Sequence, residues 1–390
     1  MTRQRLYFGI LFFAAVALIA SAVRSGWFSS SGDRELSNST DVPGTTDRTH
    51  TAEAGTKSQF PADAARSPAW HKTNPCTQTA VLLSNQTSAK LKWDAMQRLL
   101  QTFDQMPREA AVHAVLDFLR SGQNAETGMG FKLAEGGRLA ESPTLRVALM
   151  DWLGHTAPAA ALEEARRTLA EPTTPDEWAV SMRNFAWHAT NEPDKDYLRS
   201  KAVELVRNES WRQSPSAGYF EAFDMLVHTQ AVDAVPDLSR MALASGRGDL
   251  NYASFLAMDR LVSAAPSDTL GRLMDQPDLM EKRPEMVANM FARADVRDDS
   301  QRAVLQRYLL DPRRTEAELE SFANIYPNAN AMVSTNLVTT SQTAATVLGH
   351  DHDEAALKWV QQCLTNPSYS SMRPHLEKLQ TRLQGFVSRN

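Results

Sequence analysis

The pattern of hydrophobic and polar positions changes near Ser88. From there to the C-terminus, Ala- and Leu-rich stretches alternate with short turns that contain Pro, Asp or Gly. The clearest stretch opens at Ser142 and Pro143, which we interpret as a helix cap followed by proline at the first helical position. Its apolar residues follow the helical spacing i, i+3, i+4, i+7, i+8: Leu145, Ala148, Leu149, Trp152 and Leu153. Since no stretch of the body alternates as a strand would, the sequence predicts an all-α body.

The amino terminus has a different pattern. Residues 6–23 form an unbroken apolar run, whose length of 18 residues is at the lower limit for spanning a bilayer. Arg3 and Arg5 precede the run, so the positive-inside rule places the terminus in the cytoplasm. We therefore predict a signal-anchor over residues 1–28. The protein would be a single-pass membrane protein that contacts the membrane through residues 6–23, with a periplasmic or otherwise extracytoplasmic body.

A second interpretation of the same residues is a cleaved signal peptide. Ala20, Ser21 and Ala22 supply the small residues that precede a signal-peptidase site. Cleavage after Ala22 would release a secreted protein, and the sequence leaves both possibilities open.

Residues 29–88 are rich in Ser, Thr, Asp and Gly and contain few large apolar residues. Such a composition cannot offset the entropy of ordering, and it predicts a disordered linker. The domain boundaries expected from sequence are therefore an anchor over 1–28, a linker over 29–88 and a helical domain over 89–390.

An internal repeat becomes visible when the ends of alternate predicted helices are aligned. An Asp or Asn recurs there, at starts that are 33, 40, 35, 30 and 35 residues apart. This period is typical of two-helix solenoid repeats. We call these six positions the column residues: Asp151, Asn184, Asp224, Asp259, Asn289 and Asn324.

One part of this pattern resembles a known family. The run SPTLRVALMDWLGHTAPAAAL from Ser142 to Leu162 resembles a HEAT repeat, whose first helix often opens with Pro followed by an Arg and an Ala-Leu pair. The run from Ala234 to Leu238 is similar to the opening of a HEAT second helix. The resemblance covers roughly residues 90 to 370. It implies a right-handed α-solenoid of about six to eight repeats that binds protein partners along a concave face, and it implies no chemistry.

Three histidines follow column residues at a distance of four: His155, His188 and His228. A structural role explains this spacing, because a histidine at a helix C-terminus can satisfy terminal carbonyls and pair with the acid one turn earlier. Stacking of repeats would also bring the three into a row, which predicts partner binding that changes between pH 5 and 7.

A second polar cluster lies further along the chain at Asn324, Asn328 and Asn330. These amides could face a partner or cap turns. Together with the three histidines they form the candidate interaction surface.

Composition narrows the function classes further. A net charge of −5 and a pI near 6.0 supply no basic field, so we predict no nucleic-acid partner. Cys76 and Cys363 could form one disulfide or remain two buried thiols. Residues 350–354, with two His and three acids, are the densest set of possible metal ligands. Five consecutive residues cannot converge on one ion, and the HExxH spacing is absent, so no metal, cofactor or catalytic residue is predicted.

The function expected from sequence is therefore a membrane-tethered, extracytoplasmic helical-repeat scaffold that mediates protein–protein interaction. The alternative is an extracytoplasmic hydrolase or lyase whose site lies in the solenoid groove, near the histidines and the Gly-rich insertion at 121–142. The sequence identifies no particular partner or substrate.

Overall fold

The computed structural model describes residues 74–188, 191–329, 336–339 and 350–388. All of them belong to one compact unit, Asp63–Asn390. This unit is mostly helical, and its described residues contain strands only in one short hairpin. The prediction of an all-α fold is thus confirmed.

The structure corrects the predicted localisation. Among the described residues, no helix combines the length and the apolar character needed to cross a bilayer. This finding is contrary to the prediction of a single-pass membrane protein, and that localisation is not carried further. The apolar run at 6–23 and the alternative cleavage after Ala22 both lie outside the described residues.

The predicted linker ends earlier than expected. Helix α1, Pro75–Asn85, lies inside the range 29–88 that composition assigned to disorder. It is followed by α2, Ala89–Gln105, and α3, Arg108–Arg120. Cys76 and Leu83 of α1 are completely buried against the body. Composition did not reveal α1, because its apolar residues form one short stripe among many polar residues. Packing against the body nevertheless stabilises this helix.

The residue that precedes helix α1 caps this helix and links it to the body. The side chain of Asn74 accepts a hydrogen bond from the backbone N–H of Cys76 at 2.9 Å. Its amide nitrogen donates to the carbonyl oxygen of Ala114 in α3 at 2.8 Å. One residue therefore satisfies an orphan donor of α1 and ties that helix to the body.

The Gly-rich insertion folds as a hairpin rather than as an irregular loop. Strands β1, Lys132–Leu133, and β2, Leu139–Glu141, pair antiparallel around a 3₁₀ turn at Glu135–Gly137. Strands of two and three residues are too short to show the alternation that would predict them.

Helix α4, Leu145–Thr156, starts two residues later than the sequence predicts. The side chain of Thr144 accepts a hydrogen bond from the backbone N–H of Val147 and caps the helix, so Pro143 precedes it. The helices that follow are α5, Pro158–Leu169; α6, Pro175–His188; α7, Glu192–Arg207; α8, Glu209–Gln213; α9, Ala217–Glu221; and α10, Asp224–His228.

The carboxyl-terminal half continues in the same way after a 3₁₀ turn at Val232–Ala234. Its helices are α11, Val235–Ala242; α12, Gly248–Ala264; α13, Pro266–Met274; α14, Pro277–Lys282; α15, Pro284–Phe291; α16, Asp299–Leu309; α17, Glu316–Ile325; α18, His350–Thr365; and α19, Arg373–Val387. A 3₁₀ helix, Pro367–Met372, joins the last two.

Packing is local along the chain. The principal helix contacts join each helix to one of the next four, as in α5 with α6, α11 with α12, α15 with α17 and α18 with α19. Aromatic residues fill the layers between them, and Phe291 stacks on Tyr308 with ring centroids 3.8 Å apart. Both residues are completely buried, so their contact belongs to the continuous core that runs from α1 to α19.

The two cysteines are free and buried. Burial raises the pKa of Cys76 to about 12 and that of Cys363 to about 11. The structure thus contains the two separate thiols that were one of the alternatives left open by the sequence.

We expect neither thiol to react with a water-soluble disulfide reagent in the native protein at pH 8, since reaction requires an accessible thiolate. Both should react within the dead time in 6 M guanidinium chloride. Colorimetric titration with and without denaturant measures this, and fast native labelling of either cysteine would contradict the packing of α1 or α18.

Candidate functional site

Three of the column residues pair with an arginine of the next predicted repeat. Asp151 on α4 accepts from Arg183 Nη1 on α6 at 2.6 Å. Asp259 on α12 accepts from Nε and Nη2 of Arg293 at 2.5 and 2.8 Å. Asp224 on α10 pairs in the same way with Arg260 on α12. We call these three pairs the Asp–Arg ties.

Two of the amide column residues, Asn184 and Asn289, take part in links through backbone carbonyl groups. Asn184 Nδ2 donates to the carbonyl oxygen of Met150 at 2.9 Å, and Asn328 Nδ2 donates to that of Asn289 at 3.1 Å. Gly154 sits beside the first link, where an added Cβ would overlap the Asn184 amide. Glycine at 154 is therefore needed for the close approach of α4 and α6.

The ties change the interpretation of the acid–histidine spacing. His155 Nε2 lies 3.8 Å from Asp151, but the short contact of that carboxylate is with Arg183. His188 Nε2 lies 3.5 Å from the carbonyl oxygen of Gly154. Asp151 therefore links α4 to α6 through Arg183 and makes only a longer contact with its own histidine.

The structure brings His155 and His188 together around one indole. The His155 ring lies 4.8 Å from that of Trp187, and the His188 ring lies 6.5 Å from it. The guanidinium of Arg183 covers the same indole at 4.3 Å. His228 belongs to a different environment, at the end of α10 with Asp224 nearby.

Burial lowers the pKa of two of these histidines. It lowers the pKa of His155 and, independently, that of His228, and the nearby carboxylates Asp151 and Asp224 only partly oppose the shift. A lowered pKa means that folding favours the neutral imidazole, and the stability that this provides is lost as the pH falls below the pKa of the unfolded chain. The pH range predicted from the sequence, 5 to 7, therefore moves toward its acid end for these two residues.

A distant segment of the chain, Asn336–Thr339, lies against the column residue Asp224. The Oδ2 atom of Asp224 accepts the backbone N–H groups of Val338 at 2.7 Å and Thr339 at 3.0 Å. Its Oδ1 atom accepts the hydroxyl of Thr339 and the guanidinium of Arg260. Arg260 donates to the same hydroxyl. A nearly buried carboxylate thus holds a bent backbone at two successive residues.

The apolar side chain of the segment is buried as well. Leu337 has no exposed surface. Its carbonyl oxygen lies against Gly137 of the hairpin, so closely that a Cβ at Gly137 would overlap it. Arg183 Nη1 donates to the carbonyl oxygen of Gly137 at 2.7 Å. The same arginine therefore forms an Asp–Arg tie and positions the hairpin that contacts Leu337.

Glu221, one turn before Asp224, has a strongly perturbed carboxyl. Burial raises its pKa to about 7, the negative charge of Asp224 adds to the shift, and Arg260 opposes it. Close to neutral pH this carboxyl changes charge beside the group that holds Val338 and Thr339.

The predicted asparagine cluster lies elsewhere. Asn324 and Asn328 line a cavity of about 450 Å³ between α17, α18 and α19. The backbone N–H of Asn328 donates to Ala292 at 2.7 Å, so this residue is largely structural, whereas Asn324 is exposed at the rim. Asn330 lies outside the described residues. The six predicted surface residues therefore fall into at least two separate places.

The 350–354 cluster is dispersed at the start of α18. His350 pairs with Glu354 at 3.0 Å, while His352 points into the core with no exposed surface. In the part of the chain that the structure describes, no three His, Cys, Asp or Glu side chains are grouped so that they could hold a metal ion.

Sequence reasoning missed the arginines. Arg183, Arg260 and Arg293 follow the acids they bind by 32, 36 and 34 residues, which matches the repeat period. A search for opposite charges at that period would have found them. Nothing in the local sequence marks Leu337 to Thr339, because their partner Asp224 is 115 residues away from Thr339.

Comparison with models of protein families, with curated proteins and with solved structures gave no significant match. The resemblance to HEAT repeats therefore remains a prediction from the sequence.

The contact between Gly137 and Leu337 can be tested with a matched pair of substitutions. Gly136 and Gly137 both have positive φ, at 72° and 74°, but only Gly137 faces the segment. Each change to Ala costs about 1 kcal/mol through the left-handed backbone. Gly137→Ala should in addition release the segment and speed hydrogen exchange at Val338 and Thr339 by about tenfold or more. Equal protection in Gly136→Ala and Gly137→Ala would contradict the contact.

The raised pKa of Glu221 predicts a definite pH dependence. The folded state keeps a proton that the unfolded chain releases, so the contribution of Glu221 is complete below about pH 4.5 and is lost as the pH rises through 7. Relative to Glu221→Gln, the wild type should lose about 2 kcal/mol of unfolding free energy between pH 5 and pH 8. Urea unfolding at both pH values measures this. The exposed Glu163→Gln serves as control, and a Glu221→Gln protein with unchanged pH dependence would refute the assignment.

Proposed function

We propose that the protein is an α-solenoid of HEAT-like two-helix repeats and acts as a scaffold that binds a short, bent segment of a partner protein. The binding surface is the face that carries Asp224, Arg260 and the Gly137 hairpin. One observation carries the proposal: Asp224 already holds two successive backbone N–H groups of the chain's own segment, at 2.7 and 3.0 Å.

The regular ties support the repeat architecture. Sequential helices pack on near neighbours, and three Asp–Arg pairs recur at separations of 32, 36 and 34 residues. Such nearest-neighbour packing is the general property of repeat proteins, which offer extended surfaces for binding. A surface of this kind suits a linear segment better than a compact small molecule.

The chemistry of the site supports recognition of backbone. One carboxylate oxygen that accepts two successive N–H groups recognises a bent backbone regardless of side chains, because successive N–H groups converge on one anion only where the chain turns. Specificity then comes from the buried position of Leu337 and from the hydroxyl of Thr339, which contacts both Asp224 and Arg260. The preferred partner segment therefore carries an aliphatic residue two positions before a threonine or serine.

The chain's own segment competes with any partner. A tethered segment has an effective concentration of the order of millimolar. A partner at micromolar concentration can therefore displace it only when the segment binds more weakly or when the partner has a much higher affinity for the site. Binding to the wild type should therefore be weak for a short free peptide. The catalytic alternative, a hydrolase or lyase, gains no specific support from the described residues.

The experiment uses a fluorescent synthetic peptide with the sequence of residues 333–342. In the full-length Leu337→Asp protein, whose own segment is destabilised, we expect this peptide to bind at least about tenfold tighter than in the wild type. Fluorescence anisotropy measures the affinity.

The controls place substitutions in the peptide, so that they cannot affect folding of the protein. A peptide that carries Leu337→Asp should not bind, and one that carries Thr339→Val should bind more weakly. If the Leu337→Asp protein binds none of the peptides up to millimolar concentration, or binds all of them equally, the proposed surface is wrong.

A further inference from the structure

Helices α1 and α2 form a hairpin that exposes apolar side chains at one end. The two helices pack on each other and are joined by residues 86–88 alone. Among the described residues, six large apolar side chains are exposed, and four of the six belong to this hairpin. They are Val81, Leu82, Leu91 and Trp93, with 42 to 56% of their surface accessible. We call residues 81–93 the hairpin tip.

The four side chains lie at the same end of the hairpin. With a rise of about 1.5 Å per residue, each is within about 6 Å, measured along its helix, of the residue at which α1 ends or α2 begins. Leu83 and Ala95, from the same part of the hairpin, are buried in the core. The inner side of the hairpin therefore packs on the body, while the apolar side chains of its outer side remain open to solvent.

The hairpin tip carries positive charge without an acid of its own. No Asp or Glu occurs from Asn74 to Trp93, whereas Lys90 and Lys92 flank Leu91. The Nζ atom of Lys92 donates to the backbone carbonyl oxygen of Glu126 at 2.9 Å, and among the described residues neither lysine forms an ion pair with a carboxylate. Both ammonium groups therefore keep a charge that an anionic surface can meet.

We propose that the hairpin tip docks on an anionic lipid bilayer, with its four exposed apolar side chains in the interfacial layer and its two lysines beside lipid phosphates. The contact is peripheral and requires no membrane-spanning helix. It is separate from the surface around Asp224 and does not depend on the function proposed there. It involves no covalent step.

The chemistry of the tip favours a lipid surface over a protein surface. Tryptophan is enriched at membrane interfaces, and lysine can extend past apolar side chains to reach the headgroups. Apolar residues combined with lysines are the composition that binds anionic bilayers at their surface. Protein interfaces, in contrast, are depleted of lysine. A symmetric contact with a second copy would also bring the like charges of Lys90 and Lys92 from both copies together.

Vesicle flotation with the full-length protein tests the contact. To exclude a contribution of the apolar run at 6–23, all proteins carry Leu11→Asp and Val16→Asp, which interrupt that run. The vesicles contain phosphatidylcholine with or without about 30% phosphatidylserine. We expect this reference protein to bind the anionic vesicles, and to bind the neutral vesicles at least about fivefold more weakly. Absence of binding to the anionic vesicles, or equal binding to both, would overturn the proposal.

Substitutions distinguish the tip from the rest of the surface. Leu82→Gln and Trp93→Gln change exposed residues and should each weaken vesicle binding by about fivefold or more, because they remove apolar contact area. Lys90→Gln should weaken binding to anionic vesicles by about fivefold and leave binding to neutral vesicles unchanged. Leu310→Gln is the matched control, since Leu310 is exposed to a similar extent and lies outside the hairpin. Equal vesicle binding by all four variants would show that the tip is not the contact.

A fluorescent probe locates the contact directly. Because Cys76 and Cys363 are buried, a cysteine introduced by Leu91→Cys can be labelled selectively with a nitrobenzoxadiazole fluorophore. A nitroxide lipid in the anionic vesicles should quench this label by about twofold or more, and should not quench the same label introduced by Leu310→Cys. Equal quenching at the two positions would refute the docking. Self-association without lipid that Trp93→Gln abolishes in analytical ultracentrifugation would assign the tip to a second copy and equally overturn the proposal.

Discussion

Buried ion pairs between helices that are distant in the chain are the interaction on which the rest of the structure depends. Arg183 has no exposed surface, yet each of its guanidinium nitrogens has a protein acceptor in Asp151, Gly137 or Asn184. Desolvating such a group is costly unless it is fully paired. The hydrophobic core is non-directional and tolerates many helix registers, whereas a buried Asp–Arg pair is satisfied in one. The Asp–Arg ties therefore fix how the helices that they join pack against each other.

The pairing of Asp224 links the packing of the helices to the proposed binding of a partner. Asp224 pairs with Arg260 as a tie and also holds the backbone of Val338 and Thr339. A carboxylate that only tied two helices would need no further donors. Because Oδ1 and Oδ2 both accept bonds from the distant segment, this tie is open on one side where Asp259 is closed by both nitrogens of Arg293. The proposed binding surface therefore lies at the one of the three ties whose carboxylate also accepts hydrogen bonds from a distant segment.

Sequence analysis identified the features that recur along the chain. Periodic apolar stripes predicted the helices, and the alignment of Asp and Asn predicted which positions recur. It failed where the determining contact is distant. Helix α1 was assigned to the linker because its stability comes from packing on α2 and α3 and from the Asn74 bond to Ala114. The docked segment was missed for the same reason, since its burial and its contact with Asp224 are properties of the folded chain alone.

Polar groups around the Asp–Arg ties and in the carboxyl-terminal region are satisfied to different degrees. Around the ties almost every polar atom is engaged, as Arg183 shows. In the carboxyl-terminal region, the Nε and Nη2 atoms of Arg382 on α19 and the hydroxyl of Tyr326 make no hydrogen bond within the described residues. A partner that binds as proposed would take over hydrogen bonds that Asp224 already makes with Val338 and Thr339. The proposed scaffold function therefore depends on the face around Asp224 and not on the carboxyl-terminal region.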